Sequence, residues 1–313
     1  MDRPKQTRNR TFRLLKGETV SHGMRRIACG RLLDANETLS GASEETLGEA
    51  VHETRKALKR LRTSVRLTRD ALGEQPYARE NTLFRAAGQD LAAGRDAQVR
   101  LDTLDDLSER YGDELPERAI AELRARLEEE HARALQDLRG ERLDRALSVL
   151  RGAQLRAPRW TFDRDGFDVL APGLRRIYGR GRKRMRAAAK DPTAEHLHDW
   201  RKRVKDLWHV AQILEVAQPK RMRKVAKRAH KLSGLLGDHH DLSVLRAYVE
   251  QHPAFLEGPE PKALLLEAID RRSSELCDKA LRRGRKLYAR SPKRFVREIE
   301  SGWRKRAAGR PRA

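Results

Sequence analysis

Two stretches of this chain say nearly the same thing: VHETRKALKRLRTSVRLTRD at residues 51–70 and LHDWRKRVKDLWHVAQIL at residues 197–214. Each reads aliphatic, His, acid, any residue, Arg, Lys, and each places a second Lys three residues further on. At about 100° per residue along a helix, Arg55, Lys56, Lys59, Thr63 and Arg66 fall within about 60° of His52. Leu58, Leu61, Val65 and Leu72 gather opposite, the pattern of a helix with one apolar and one polar face. The second stretch does the same: His198, Arg201, Lys202, Lys205 and His209 share a face, and Val204, Leu207 and Ala211 oppose it. From His52 to Arg66 the basic stripe runs about 21 Å at a helical rise of about 1.5 Å per residue. That length makes it a track rather than a point site.

Around these stretches the chain reads as helix almost throughout. Ala, Leu, Arg, Glu and Lys dominate, apolar residues recur at three and four, and alternating β-branched runs are missing. TLSGAS (38–43) closes a first helix, and Thr46 with Glu49 offers a capping box for the second. GEQPY (73–77) and YGDELPE (111–117) are further breaks, and RGAQLRAPRWTFDRDG (151–166) is the longest irregular segment. Beyond it, KDPT (190–193) places Asp191 as a helix cap with Pro192 in the first turn. AQP (217–219), QHPAFLEGPEP (251–261) and Ser291-Pro292 separate the last helices. Four helices are thus expected on each side of a linker over 151–164. The sides match in order: MRRI (24–27) with LRRI (174–177), the two His-bearing stretches, then LAAGRDAQVRL (91–101) with LGDHHDLSVLR (236–246). The expected fold is all-α, two tandem four-helix bundles from an internal duplication, over 8–150 and 165–306.

Composition narrows the partners. The 313 residues carry 69 Lys and Arg against 46 Asp and Glu, a formal charge of +23, and such an excess points to a polyanion. DNA, RNA, anionic lipid and inorganic polyphosphate are the candidates. Aromatics are only 5%, which disfavours recognition by stacking bases on rings. Cys29 and Cys277 form neither a zinc spacing nor a disulfide framework. The basic N-terminus has no apolar segment after it, and no apolar run approaches membrane-spanning length, so a cytoplasmic protein without a membrane partner is expected.

The charge pattern is more telling than the total. Solvated helices interleave acids four residues from bases, yet residues 55–69 hold seven Lys and Arg and no acid. Residues 174–190 hold eight, 219–231 seven and 279–294 eight, again without an acid. Like charges at this spacing repel by a few tenths of a kcal/mol per pair, so basic faces on most helices suggest one shared positive surface. That surface is expected to draw on Arg66, Lys227, Lys231 and Arg283 besides the two stripes. GRDAQ adds Arg95 and Asp96, and DHHDL adds His239, His240 and Asp241. The histidines are extra anion donors; the aspartates either orient a base or neutralise one within the bundle. His198, His230, His240 and Asp241 are similar to the H…HD…D pattern of HD-type metal-dependent phosphohydrolases, but they sit among Lys202, Lys205, Lys227 and Lys231, whose field opposes a cation. No metal, cofactor or catalytic residue is expected.

The repeated His-x-x-Arg-Lys helix, the Arg-Asp and His-Asp motifs and the doubled helical order together resemble the CHAD family, the conserved histidine α-helical domain, from about Arg8 to Arg306. The resemblance implies two four-helix bundles about a pseudo-two-fold axis, a non-catalytic protein that binds inorganic polyphosphate in a basic groove, and association with polyphosphate granules. It assigns His52, Arg55, Lys56 and Lys59 to one basic helix and His198, Arg201, Lys202 and Lys205 to the other. Arg25, Arg26, Arg175 and Arg176 match basic positions on the opening helix of each half. This sequence departs from the family where HHD replaces the commoner Arg-Asp. Nucleic acid is the expected weaker competitor, although no nucleic-acid-binding motif appears. His52 and His198 are expected to gain charge near the ordinary imidazole value of about 6.5.

Overall fold

Thr19 starts the first helix, its side chain accepting a hydrogen bond from His22 N at 3.2 Å. From the far side of the chain Asp165 Oδ1 takes the Ser21 N–H at 3.1 Å. The turn at 163–168 therefore caps a helix distant in sequence and ties the two sides together. The computed structural model describes residues 10–252, 256 and 259–308, which form twelve α-helices and no strand. Among the described residues no helix is long and apolar enough to cross a membrane.

Seven helices precede the irregular segment: α1 (Val20–Ser40), α2 (Leu47–Leu67), the single turn α3 (Arg69–Leu72), α4 (Glu74–Asp90), α5 (Ala93–Tyr111), α6 (Glu117–Gln136) and α7 (Glu141–Arg156). Five follow it: α8 (Ala171–Lys190), α9 (Ala194–Ile213), α10 (Pro219–Gln251), α11 (Pro259–Leu287) and α12 (Pro292–Ala308). The two repeated stretches are α2 and α9. Their apolar stripes are buried as expected: Leu58, Leu61 and Val65 on one, Val204, Leu207 and Ala211 on the other. Thr54 and Trp200, at matching positions, are buried too.

Several boundaries differ from the sequence reading. Residues 151–156 are the last turns of α7, so the irregular segment is shorter than the linker expected at 151–164. Thr46 makes no cap bond to its helix; its hydroxyl takes the Ser43 N–H at 2.9 Å, so the capping box with Glu49 does not form. Thr193, not Asp191, caps α9, accepting from His196 N at 3.2 Å. The third helix of the first side is interrupted at Leu91 and Ala92, dividing α4 from α5. The fourth is interrupted at 137–140, where Gly140 takes a φ of 75°. Beyond the irregular segment α10 and α11 run unbroken for 33 and 29 residues.

These breaks change how the apolar residues partition. One cluster lies among α1, α2, α4 and α7, with Leu32, Leu61, Phe84 and Leu150 at its centre. A second joins α8, α9, α12, the start of α10 and the end of α11, and also takes in Met24 and Ile27 from α1. The third is shared between the two sides of the irregular segment: Leu104, Leu107, Leu123 and Leu127 of α5 and α6 pack with Leu242, Leu245, Leu265 and Ile269 of α10 and α11. Burying such leucines stabilises by about 1.5–3 kcal/mol each, so the shared cluster is a strong clasp.

One close approach fixes α8 against α2. A Cβ on Gly173 would stand 1.9 Å from the Leu67 carbonyl oxygen, and backbone cannot yield as a side chain does. Gly234, inside α10, has nothing within 4 Å of its own added Cβ. Gly173→Ala is expected to destabilise by about 1–3 kcal/mol through overpacking. Gly234→Ala should stabilise by about 1 kcal/mol through helix propensity. Urea unfolding of both variants checks the pair, and like signs would contradict the packing described.

Candidate functional site

The polar faces of α2 and α9 look toward each other across a cleft of about 890 Å³. From α2 it is lined by His52, Arg55, Lys56, Lys59, Arg62, Thr63 and Arg66; from α9 by His198, Arg201, Lys202, Arg203, Lys205, Asp206 and His209. Arg85 of α4 and Arg100 of α5 add charge from one flank, and His240 of α10 lies on the other. Eleven Lys and Arg therefore face three aspartates, Asp96, Asp206 and Asp241.

Each aspartate already has basic partners. Asp206 is buried where the two helices meet: Arg66 Nη1 reaches its Oδ1 at 2.9 Å and Arg203 Nη1 its Oδ2 at 2.9 Å. Thr63 Oγ1 stands 3.2 Å from Asp206 Oδ1 and 3.2 Å from His209 Nδ1. Asp96 pairs with Arg55 at 3.8 Å, and Asp241 with Arg201 at 3.5 Å. The arrangement recurs at Lys56, 2.6 Å from Glu53, and Lys202, 3.1 Å from Asp199. Thr63 and His209, which touch, are themselves 146 positions apart, the separation of the two stretches.

The field of the cleft is legible in its titrating groups. Burial, then the neighbouring Arg66, pushes Arg62 down to about 10. Burial, then Lys202 and Arg201, pushes His198 down to about 4. His240, whose ring lies 3.9 Å from that of His198, is pushed to about 3 by burial and then by His198. His209 falls to about 3, chiefly by burial and then by Arg60. His198 is thus neutral at pH 6.5, against the sequence expectation, because an imidazolium there would be desolvated among cations.

Other residues singled out from sequence lie elsewhere. Arg25 donates to the Trp160 carbonyl at 2.9 Å. Arg26 is buried in an ion pair with Glu18 at 2.6 Å, and Arg176 clamps Asp70 at 2.8 Å. These three are structural ties. Arg175, Lys227, Lys231 and Arg283 are exposed outside the cleft, and His239 is buried in α10. The side chain of Arg95 lies outside the described residues. His230 stacks on Trp208 at 4.4 Å. Among the described residues no three His, Cys, Asp or Glu side chains converge as metal ligands.

Sequence reasoning missed Arg62, Arg85, Arg203, Asp206 and the cleft position of Arg100. Arg62 and Arg203 stand off the axis of the His stripe, so the wheel set them aside. Arg100 sits inside a quoted repeat, LAAGRDAQVRL, and could have been found there. Arg85 has no signal in the repeats.

Comparison with known proteins shows the family. The model of the CHAD domain matches residues 26–250, well over half of the chain. The chain belongs to the CHAD family. A search of curated proteins finds no match. The CHAD match covers α2, α9, most of α10 and thus every helix that lines the cleft.

The three neutral histidines set a pH dependence of stability. Their folded values lie below the unfolded value of about 6.5, so on acidification the unfolded chain takes up protons first. Their stabilising contribution is complete above about pH 6.5 and is lost as pH falls toward their folded values. Urea unfolding between about pH 6.5 and 5, above the ordinary carboxylate range, should show stability falling, and His209→Gln should flatten the slope. A slope unchanged by that substitution would contradict the assignment.

Proposed function

We propose that this CHAD protein binds inorganic polyphosphate, without turning it over, in the cleft between α2 and α9. The observation that carries the reading is the lining: eleven Lys and Arg against three aspartates, each aspartate already paired with an arginine. Polyphosphate is a flexible polyanion with closely spaced charges and no bases. Its non-bridging oxygens accept charge-assisted hydrogen bonds from guanidinium and ammonium groups, each bond contributing about 1.5–3 kcal/mol. Lys56, Lys59, Lys202 and Lys205 supply mobile point charges; Arg55 and Arg201, held by Asp96 and Asp241, supply oriented forks.

The two walls are read as products of an internal duplication, each half a four-helix unit about a pseudo-two-fold axis. The repeated pairs support this: Arg55–Asp96 with Arg201–Asp241, Lys56–Glu53 with Lys202–Asp199, and Thr63 touching His209. A near-symmetric channel suits a polymer whose two directions are alike. The proposed setting is the cytoplasm, with polyphosphate granules as the target.

Competition at matched phosphate concentration tests the ligand class. Long-chain polyphosphate is expected to displace duplex DNA and RNA at physiological salt, with a steep salt dependence from counterion release. Equal or tighter binding of RNA would move the assignment to a nucleic-acid protein. The site has its own test. Lys56→Ala with Lys202→Ala should weaken polyphosphate binding at least about tenfold, since clustered donors share one partner. Arg142→Ala with Arg151→Ala, exposed on α7, removes the same charge and should change affinity about twofold or less. Equal losses would leave only a cationic surface.

A further inference from the structure

Lys202 and Arg203 have a second surface beside them. Where they border the cleft on one side, they also line a notch of about 480 Å³ on the other, between α8 and α9. The rest of the notch is Arg180, Lys183 and Arg184 of α8 with Asp199 of α9. Positions 180, 183 and 184 share a helix face, so three cations are presented together. The one carboxylate is occupied from both helices, by Lys202 at 3.1 Å and Arg184 at 3.3 Å. Arg203 is held by Asp206 at 2.9 Å. Arg180 and Lys183 have no carboxylate within ion-pair distance among the described residues.

Arg184 ties α8 to α9 through Asp199, but no ion pair among the described residues accounts for Arg180 and Lys183 beside it. Arg180, Lys183 and Arg184 are exposed, on a helix segment that carries eight Lys and Arg without an acid. Crowding them costs repulsion that a bound polyanion would remove. The basic wall of the cleft is only about 21 Å long, so a longer polymer has to leave it. Over Lys202 and Arg203 the next surface it meets is again cationic. No aromatic side chain lines the notch, which suits a backbone of phosphates better than stacked bases.

We propose that Arg180, Lys183 and Arg184 form a second anion subsite, which grips the continuation of a long polyphosphate after it crosses Lys202 and Arg203 out of the cleft. The proposal rests on polyphosphate being the ligand of the cleft. It makes binding depend on chain length: a short chain uses the cleft alone, whereas a long one engages both. Asp199 ties α9 to α8 through Arg184 and holds Lys202 one turn further along α9, and so sets the path between the two subsites.

Four proteins are compared at one salt and pH, each with tripolyphosphate and with long-chain polyphosphate. They are the wild type, the notch variant Arg180→Ala with Lys183→Ala, the cleft variant Lys56→Ala with Lys59→Ala, and the control Arg142→Ala with Arg151→Ala. The notch variant should lose about tenfold in affinity for the long chain, with a shallower salt dependence, and about twofold or less for tripolyphosphate. The cleft variant should lose both. A notch variant no weaker than the control toward the long chain, or weakened equally toward both ligands, overturns the subsite while leaving the cleft reading intact. A cleft variant that binds both ligands like the control overturns the cleft reading itself, and with it the subsite. Circular dichroism confirms that each variant keeps its helices.

Discussion

A single buried carboxylate lets two positive helices face each other. Where α2 meets α9, Asp206 accepts a hydrogen bond from Arg66 and forms an ion pair with Arg203, and Thr63 links it to His209. Without that negative charge the junction would be arginine against arginine, at the point where neither side chain can retreat fully into water. Removing one partner of a buried ion pair typically destabilises by about 3–5 kcal/mol, because the remaining charges stay desolvated. The cleft depends on this junction, for its walls are the continuation of the same two helices away from Asp206.

The rest of the charge is managed by placement. Asp96 and Asp241 come from the neighbouring long helices and Glu53 and Asp199 from one turn earlier, so each wall is partly neutralised from its edges. The centre keeps its Lys and Arg, and burial first and neighbouring cations second lower the values of Arg62 and His198 there. Apolar clusters supply what electrostatics takes away. The shared cluster of α5, α6, α10 and α11 clasps the two sides of the chain, and Phe162 packs against both remaining clusters. The molecule thus holds in a fixed shape a field that repels itself.

How much of this could be read from the chain follows from the range of the interactions. The amphipathic faces of α2 and α9 were legible because a helix wheel needs only local spacing, and the buried Leu61 and Val204 agree with it. The all-helical class and family membership followed from ordered motifs. The fates of Arg25, Arg26 and Arg176 did not, because their partners Trp160, Glu18 and Asp70 are set by tertiary contact. Asp206 looked like one acid in a basic helix; only the crossing of α2 makes it the keystone. The break at Leu91 was equally hidden. Glycines flank it, Gly88 and Gly94, but Gly234 and Gly237 occur in the unbroken α10, so composition alone does not decide.

The contact of Gly173 with the Leu67 carbonyl has a mechanical meaning. With backbone against backbone, α8 cannot slide along the end of α2, and Asp206 pins α9 across the same helix. The frame of the cleft is therefore stiff, and adaptation to a guest is left to lysine and arginine side chains with several rotatable bonds. For a polymer of identical units there is no preferred register to enforce. For the polyphosphate proposed above, a rigid trough with pliant cations would let the chain shift by one unit and find equivalent partners again, held firmly without being held in one place.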